Sequence, residues 1–350
     1  MDIMFVLRRA MKFLDTNNAL NLRLVCKGCT FDRRAYGDEF INVRFLTTKF
    51  GVKQMEDFPC TCTANIETQE DLDVLNGLDE EALTSPFHVK VKPGFVIKGC
   101  PSFYMMHELD LTGTIVQDLS ALKNSEISLL VLESAKVSDI SFLEGCNELT
   151  SLNLNFTDVT DITILGTLTS LTSLFLKKSK CRDFTALSLL NLEELNLEDA
   201  KHFRHNSLLK EMSSLAFLNL SGTGITNITG LSKLSELREL NLAITRVSNI
   251  SPIKNLRKLE KLTMSCMRFV IEDISYAQHV EYLDLSGTCN NYLITQIAEF
   301  KKLRILTIIE STVTDVSPLV NCENLRFLCT NGTADTSMLS KCTVINADNI

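Results

Sequence analysis

Apolar and polar residues alternate in a pattern that recurs from about residue 105 to the end of the chain. A pair of apolar residues separated by one residue occurs eleven times, and the first members of successive pairs are 21 to 23 positions apart. Such short alternation predicts a strand with one buried face. The fixed period predicts a solenoid, in which each coil buries its apolar side only against its neighbours. The first members are Leu109, Leu130, Leu152, Leu174, Leu195, Leu218, Leu240, Leu262, Leu283, Leu306 and Leu328.

Further columns of the repeat identify the interior of the predicted coil. Apolar residues recur seven, ten and thirteen positions after the first leucine, as in Val247, Ile250 and Ile253. A small hydroxylated residue recurs five positions after it, as in Thr223 and Thr245. Because the turn that leaves a strand exposes backbone groups inside the stack, we expect these hydroxyls to bond them from one coil to the next.

Ser or Thr also recurs eleven positions after the first leucine, and Pro252 and Pro318 follow it in two coils. A hydroxyl accepts from free N–H groups at a helix start, and Pro is tolerated at the first helical position. We therefore expect a short helix or 3₁₀ turn on the return side of each coil, capped by these hydroxyls.

The apolar pair, the hydroxyl column, an Asp or Asn nine positions after the first leucine and the short return turns together resemble the leucine-rich repeats of internalins and phosphatase regulatory subunits. The resemblance implies an α/β leucine-rich repeat solenoid over residues 105–350, with about eleven repeats. It also implies a parallel β-sheet on the concave face and short helices or 3₁₀ turns on the convex face.

Two coils depart from the columns. In the coil after Leu195, His202 and His205 fall in core columns, and in the coil after Leu262, Met267 replaces the hydroxyl. We expect the histidines to find backbone partners in a locally irregular coil. We expect no metal site there, because no further ligand has a suitable spacing.

The first 45 residues form a separate segment, with two helical apolar stripes around the polar run DTNN. The stretch FLDTNNALNLRLVCKGC resembles an F-box, which in that family grips the adaptor of cullin-type ubiquitin ligases. The open alternative for residues 1–45 is a helical cap that covers the apolar end of the solenoid. The resemblance implies a small helical N-terminal segment that binds its partner through Leu7, Phe13, Leu14, Leu20, Leu22 and Val25.

Residues 46–104 show the weakest pattern, and we expect an irregular linker with degenerate first repeats. Val89 and Val91, with Val96 seven positions after Val89, fit one more coil upstream of the first leucine pair.

Composition narrows the classes of partner. The net charge is −8, from 43 acidic and 35 basic residues, which does not favour nucleic acid or an anionic membrane. The start MDIMFVLRRAMKFLD matches neither a signal peptide nor a membrane span. We therefore expect a cytoplasmic protein, with the nucleus as the alternative, and expect the twelve cysteines to be free thiols.

No catalytic motif stands out: the chain has no phosphate-binding glycine loop, no nucleophile elbow and no H-E-x-x-H. We expect a non-enzymatic protein without cofactor or metal. Its protein partner is expected on the concave face, because the residues that flank each buried leucine project there. The large apolar residues in those columns form the candidate concave site: Phe175, Phe217, Tyr282, Ile305, Ile309 and Phe327.

Two functional classes remain open. In the first, the F-box-like segment docks a ubiquitin-ligase adaptor and the concave face selects the protein to be modified. In the second, the chain is a stand-alone scaffold or regulatory subunit, similar to phosphatase regulators, and the N-terminal segment only caps the solenoid.

Overall fold

The structure is a computed structural model that describes residues 62–69, 72, 87–99, 106–204, 206–267, 271–331 and 334–347. The chain divides into two compact units, Met1–Asp158 and Val159–Ile350. The predicted helical segment 1–45 lies outside the described residues, and so do all six residues predicted to bind there.

The first unit stacks parallel strands one coil at a time. Its main sheet has the order β1-β2-β4-β6-β7, and β3 pairs with β5 in a second, two-stranded sheet. The register joins Val89 to Leu109, Leu109 to Leu130 and Leu130 to Leu152, so the buried leucines lie in line. The strands are β1 Cys62–Ile66, β2 Phe87–Val91, β3 Val96–Ile97, β4 Glu108–Asp110, β5 Ile115–Val116, β6 Leu129–Val131 and β7 Ser151–Asn153; the 3₁₀ helices are Ser120–Leu122 and Ser141–Leu143.

The second unit repeats this plan with strands β8 to β16 in chain order, all parallel. The strands are β8 Ser173–Phe175, β9 Glu194–Asn196, β10 Phe217–Asn219, β11 Glu239–Asn241, β12 Lys261–Thr263, β13 Tyr282–Asp284, β14 Ile305–Ile308, β15 Phe327–Thr330 and β16 Thr343–Asn346. The return segments hold α1 Asn206–Leu209, α2 Asn291–Ile297 and the 3₁₀ helices Thr163–Thr167, Thr185–Leu189, Thr229–Lys233, Ser251–Asn255, Ser275–Ala277 and Ser317–Asn321.

The predicted solenoid is confirmed. Each of the eleven apolar pairs begins in a strand, and its first leucine is buried. Upstream of residue 105, Val89 and Val91 are buried in β2 as predicted for a further coil. The prediction for Val96 is wrong: its side chain is 40% exposed, and Ile97 fills the interior position beside it.

Most residues of the predicted interior columns are also buried. Seven positions after the first leucine the predicted apolar residues are buried except Val116, which is half-buried. Those ten positions after it are all buried, and those thirteen after it are buried except Leu208. The coil after Leu195 is 23 residues long and contains α1 in place of a 3₁₀ helix. Phe203 and Leu209 therefore occupy the interior, and His202 is exposed, which corrects its predicted place in the core. His205 lies outside the described residues.

The return helices are capped by the Asp or Asn column rather than by the hydroxyls. The Oδ1 of Asp161 accepts the N–H of Thr163 at 2.9 Å, and that of Asn249 accepts the N–H of Ser251 at 2.9 Å. The hydroxylated residue is thus the first residue of the helix, and the cap lies two positions before it. An Asp or Asn side chain accepts readily from a backbone N–H two residues on, which explains why most coils have one of these two residue types in this column.

The hydroxyls five positions after the first leucine mostly bond within their own coil. The Oγ1 of Thr223 donates to the carbonyl of Leu220 at 2.7 Å, and the Oγ1 of Thr245 donates to that of Leu242 at 2.6 Å. The predicted bond between coils occurs at Thr288, whose Oγ1 donates to the carbonyl of Met264 at 3.0 Å. In that earlier coil Met267 stands in the hydroxyl column, so the carbonyl takes its partner from the next coil.

Candidate functional site

One row of side chains runs across the second unit on the sheet face opposite the core. In β8 to β15 each member precedes the buried leucine of its strand, and in β16 it precedes Val344. The strand register makes successive members neighbours at the usual spacing of about 4.8 Å. We call it the outer row: Ser173, Glu194, Phe217, Glu239, Lys261, Tyr282, Ile305, Phe327 and Thr343.

Three of the predicted concave residues are consecutive in the outer row. Tyr282 pairs with Ile305, and Ile305 pairs with Phe327, so their side chains form one apolar stripe. The Phe327 side chain is 43% exposed. The Nζ of Lys261 lies 5.6 Å from the centre of the Tyr282 ring and closes one end of the stripe with a cation–π contact. We call Tyr282, Ile305 and Phe327 the apolar stripe.

The other three predicted residues lie elsewhere. Phe217 belongs to the outer row, but Glu239 and Lys261 separate it from the apolar stripe. Phe175 follows the buried leucine of β8 and is half-buried in a second row. Ile309 comes after the last residue of β14, is half-buried, and accepts the N–H of Gly287 through its carbonyl at 2.7 Å.

The second row consists of the residues that lie between the two apolar residues of each pair. In much of the sheet these residues have a structural role. The Oδ1 atoms of Asn196, Asn219 and Asn241 accept the N–H two residues further on at 2.9 to 3.0 Å. Asp284 makes the same bond to Ser286 at 2.9 Å. These side chains shape the turn that leaves the strand. The restriction of this column to Asn, Asp and Thr in most coils is the sequence signal for that role.

A groove of about 250 Å³ lies on the same face, across strands β9 to β12. Glu194 and Glu239 border it on either side of Phe217, whose side chain is 41% exposed. Glu239 forms an ion pair with Lys261 at 3.1 Å. Burial, with a smaller contribution from the charge of Glu239, raises the pKa of Glu194. The acidic groove was missed at the sequence level, since its two carboxylates are 45 residues apart.

The buried thiols are unsuited to nucleophilic chemistry. Cys146 and Cys181 are fully buried, and burial raises the pKa of both. Burial also raises the pKa of Cys289 to about 12 and that of Cys322 to about 11. A thiol, unlike a thiolate, is a poor nucleophile and metal ligand. Within the part of the chain that the structure describes, no group of three or more His, Cys, Asp or Glu residues is placed to hold a metal ion.

None of the helices among the described residues has the length and apolar character that a membrane crossing requires.

Comparison with known proteins supports the fold alone. No protein-family model matches the chain, and no curated protein matches its sequence. The structure is similar to the internalin InlF of Listeria monocytogenes, with a TM-score of 0.61 and 19% identity over 87% of this chain and 92% of that one.

Two further structures are similar at 17% identity. A leucine-rich repeat protein of Leptospira interrogans has a TM-score of 0.52 over 77% of this chain and 80% of that one. The plant peptide hormone receptor RGFR1 in complex with RGF2 has a TM-score of 0.53 over 81% of this chain and 51% of that one. The chain therefore has the leucine-rich repeat fold, as the sequence predicted.

Proposed function

We propose that this chain is a non-enzymatic protein that binds a protein partner on the outer row of its second unit. The apolar stripe supports this proposal most strongly. Its three large side chains come from neighbouring strands and lie on the sheet face opposite the core. An exposed apolar patch with a charged edge is typical of an interaction surface, and interface energy concentrates in a few aromatic or aliphatic residues.

The edge of the stripe has the polar character expected of an interface rim. Arg304, which precedes Ile305, forms an ion pair with Glu281, which precedes Tyr282, at 3.3 Å. Lys261 adds a further charge beside the Tyr282 ring. Exposed pairs of this kind contribute little to stability but can orient a partner. The likeness in fold to a plant receptor that is complexed with a peptide hormone is consistent with a polypeptide ligand.

The test compares two double variants that each remove two exposed apolar side chains. Tyr282→Ala with Phe327→Ala removes the ends of the apolar stripe. Leu189→Ala with Val320→Ala removes side chains that are 69% and 51% exposed on the return segments. A partner recovered with the wild-type chain by cross-linking is identified, purified and titrated against all three proteins. We expect the stripe variant to lose about thirtyfold or more in affinity, as hot-spot losses of about 2 kcal/mol imply.

Both variants must keep the wild-type melting temperature, because a loosened coil would mimic a lost contact. If the stripe variant binds as the wild type does and the return-side variant does not, the partner lies on the other side of the coils and the proposal is wrong.

Within this class we propose a substrate receptor of a cullin-type ubiquitin ligase, which acts in the cytoplasm or the nucleus. Its support is the F-box-like stretch that includes Phe13, Leu14, Leu20 and Val25. The alternative is a scaffold or regulatory subunit in which residues 1–45 act only as a cap.

A charge-insertion experiment separates the two. Leu20→Asp with Val25→Asp should abolish co-purification of the adaptor, and Asn17→Asp with Asn18→Asp, which adds the same charge to the polar run, should not. The circular dichroism of the repeats should survive in both variants. If the wild-type chain retains no adaptor, or if the first variant unfolds the repeats, the cap is the better assignment.

A further inference from the structure

Three consecutive members of the outer row form an acidic cleft: Glu194, Phe217 and Glu239. Phe217 pairs with Glu194 of β9 on one side and with Glu239 of β11 on the other. At the usual strand spacing, each carboxylate-bearing residue lies about 4.8 Å from Phe217, and the two lie about 10 Å apart. The cleft thus presents an aromatic ring between two acidic side chains, in the groove of about 250 Å³.

The charges in this cleft do not balance. Lys261 lies beside Glu239 on the next strand and forms an ion pair with it at 3.1 Å. Lys177, which follows β8, forms an ion pair with Glu198 at 2.8 Å. No cation forms an ion pair with Glu194 among the residues that the structure describes. A half-buried carboxylate without a cation partner is unfavourable until a cation reaches it. Burial, with a smaller contribution from the charge of Glu239, accordingly raises the pKa of Glu194.

Phe217 contributes a second reason to expect a cationic side chain. Its side chain is 41% exposed, and its neighbours on both adjacent strands are glutamates. A guanidinium or ammonium group is attracted to an aromatic face, and a guanidinium can stack on the ring while its N–H groups reach a carboxylate. The groove is smaller than the pockets of about 300 to 1,000 Å³ that hold drug-sized ligands, which fits a single side chain.

We propose that the acidic cleft binds an arginine or lysine side chain of the protein partner, while apolar residues of the same partner cover the apolar stripe. This inference rests on the proposed function. Phe217 and Tyr282 lie three strands apart, which is about 14 Å, or the reach of about four residues of extended chain. The partner segment therefore combines a basic residue with an apolar residue about four positions away.

The experiment uses a library of random peptides displayed on phage, selected against the full chain. Bound peptides are sequenced, and the tightest is synthesised with its basic residue intact and with that residue changed to Gln. Each peptide is titrated against the wild type, Glu194→Gln and the control Glu211→Gln. The control loses the same charge on an exposed side chain of a return segment, where Glu211 meets Lys210.

We expect the selected peptides to be enriched in Arg or Lys, and Glu194→Gln to lower the affinity of the basic peptide about tenfold, as expected for a hydrogen bond to a charged group. The Gln peptide should bind the wild type and Glu194→Gln with equal affinity, because the change in the peptide and the change in the protein remove the same contact. Binding of the basic peptide to the wild type should also weaken as salt rises, more steeply than binding to Glu194→Gln.

Two other outcomes are distinguishable. If peptides are retained without basic enrichment, bind Glu194→Gln as they bind the wild type, and are lost in Tyr282→Ala with Phe327→Ala, the proposed function stands and the basic partner is wrong. If no selected peptide depends on the cleft or on the stripe, this inference and the proposed site are both wrong.

Discussion

The ring of Phe203 meets the ring of Phe184 edge to face, with 5.2 Å between the centroids and 87° between the planes. Both side chains are fully buried and come from neighbouring coils of the second unit. Edge-to-face pairs of this kind add about 0.5 to 1.5 kcal/mol to the stabilisation from burial alone. Phe203 belongs to the coil after Leu195, which is longer than most of the others and contains α1, and Phe184 belongs to the coil before it.

Phe203→Ala should therefore destabilise the chain strongly. Removal of a buried phenylalanine leaves a cavity and costs about 3 to 5 kcal/mol. His202→Ala, one residue away on an exposed side chain, should change the free energy of unfolding by less than about 0.5 kcal/mol. Urea unfolding of both variants measures the difference. If His202→Ala lowers the urea midpoint as much as Phe203→Ala does, His202 has the interior position that the repeat column predicted.

This coil shows where sequence columns fail. Fixed offsets from the leucine predict the interior only while every coil has the same length, and one inserted residue shifts each later position. Phe203 lies eight positions after Leu195 instead of seven, and Leu209 fourteen instead of thirteen. Which of two adjacent residues fills the interior depends on how the neighbouring coils pack, and a single sequence does not contain that information.

The strands show what the sequence does contain. Regular leucine pairs predicted β4 and every strand from β6 to β15 in register, because buried apolar alternation and stacking impose the same period. The strands β1 and β16 were missed, since neither has a leucine pair. In β16, Val344 pairs with Leu328, and Asn346 stands two residues later, where most of the other pairs have an apolar residue.

The candidate site was predicted less well than the fold. Strand alternation correctly predicts that residues flanking the buried leucine face away from the core. It does not distinguish Phe217, which is exposed, from Asn219, whose Oδ1 is occupied by the N–H of Ser221 at 3.0 Å. It also does not bring together Glu194 and Glu239, because only the strand register makes them neighbours of the same ring.

Asn249 should reveal how much a side-chain cap contributes to a return helix. Its Oδ1 accepts the N–H of Ser251 at the start of the 3₁₀ helix Ser251–Asn255. Asn249→Ala removes the acceptor and should lower the free energy of unfolding by about 0.5 to 2 kcal/mol. Asn249→Asp should be nearly neutral at pH 7, because Asp161 and Asp315 make the same bond elsewhere. Equal loss in the two variants, measured by urea unfolding, would exclude the cap as the cause.

Thr288→Val should cost more than Thr223→Val, although the two residues occupy the same column. The carbonyl of Leu220 accepts both the hydroxyl and the N–H of Thr223, so it keeps one partner after the change. The hydroxyl of Thr288 joins two coils, since it accepts the N–H of Met267 at 2.9 Å and donates to the carbonyl of Met264.

Loss of the hydroxyl at Thr288 leaves both of these backbone groups without that partner, at about 1 to 3 kcal/mol, against about 1 kcal/mol at Thr223. Native-state hydrogen exchange at the Met267 amide is the decisive measurement. It should accelerate in Thr288→Val and stay unchanged in Thr223→Val. Unchanged exchange in both variants would contradict a bond between the coils.

The carboxylate caps should make stability depend on pH in the acid range. The hydroxyl and N–H of Thr163 hold the pKa of Asp161 below its ordinary value of 3.8, and those of Ser317 do the same for Asp315. The folded state therefore favours the ionised form of both groups. Their contribution is fully present above the unfolded pKa and is lost as pH falls through the lower, folded pKa.

Asp161→Asn with Asp315→Asn tests this directly. The amide keeps an acceptor for the same N–H, as Asn227 does for Thr229 at 2.8 Å, but it does not titrate. Near pH 7 the variant and the wild type should have similar urea midpoints. As pH falls from about 5 to about 3, the urea midpoint of the wild type should fall more steeply than that of the variant. Only the wild type has carboxylates at these two positions, and their protonation removes the stabilisation that their ionised forms provide. If the urea midpoints of the variant and the wild type fall with pH at the same slope, other carboxylates account for the acid sensitivity. The Asp column would then stabilise the turns through its hydrogen bonds alone, without a contribution from its charge.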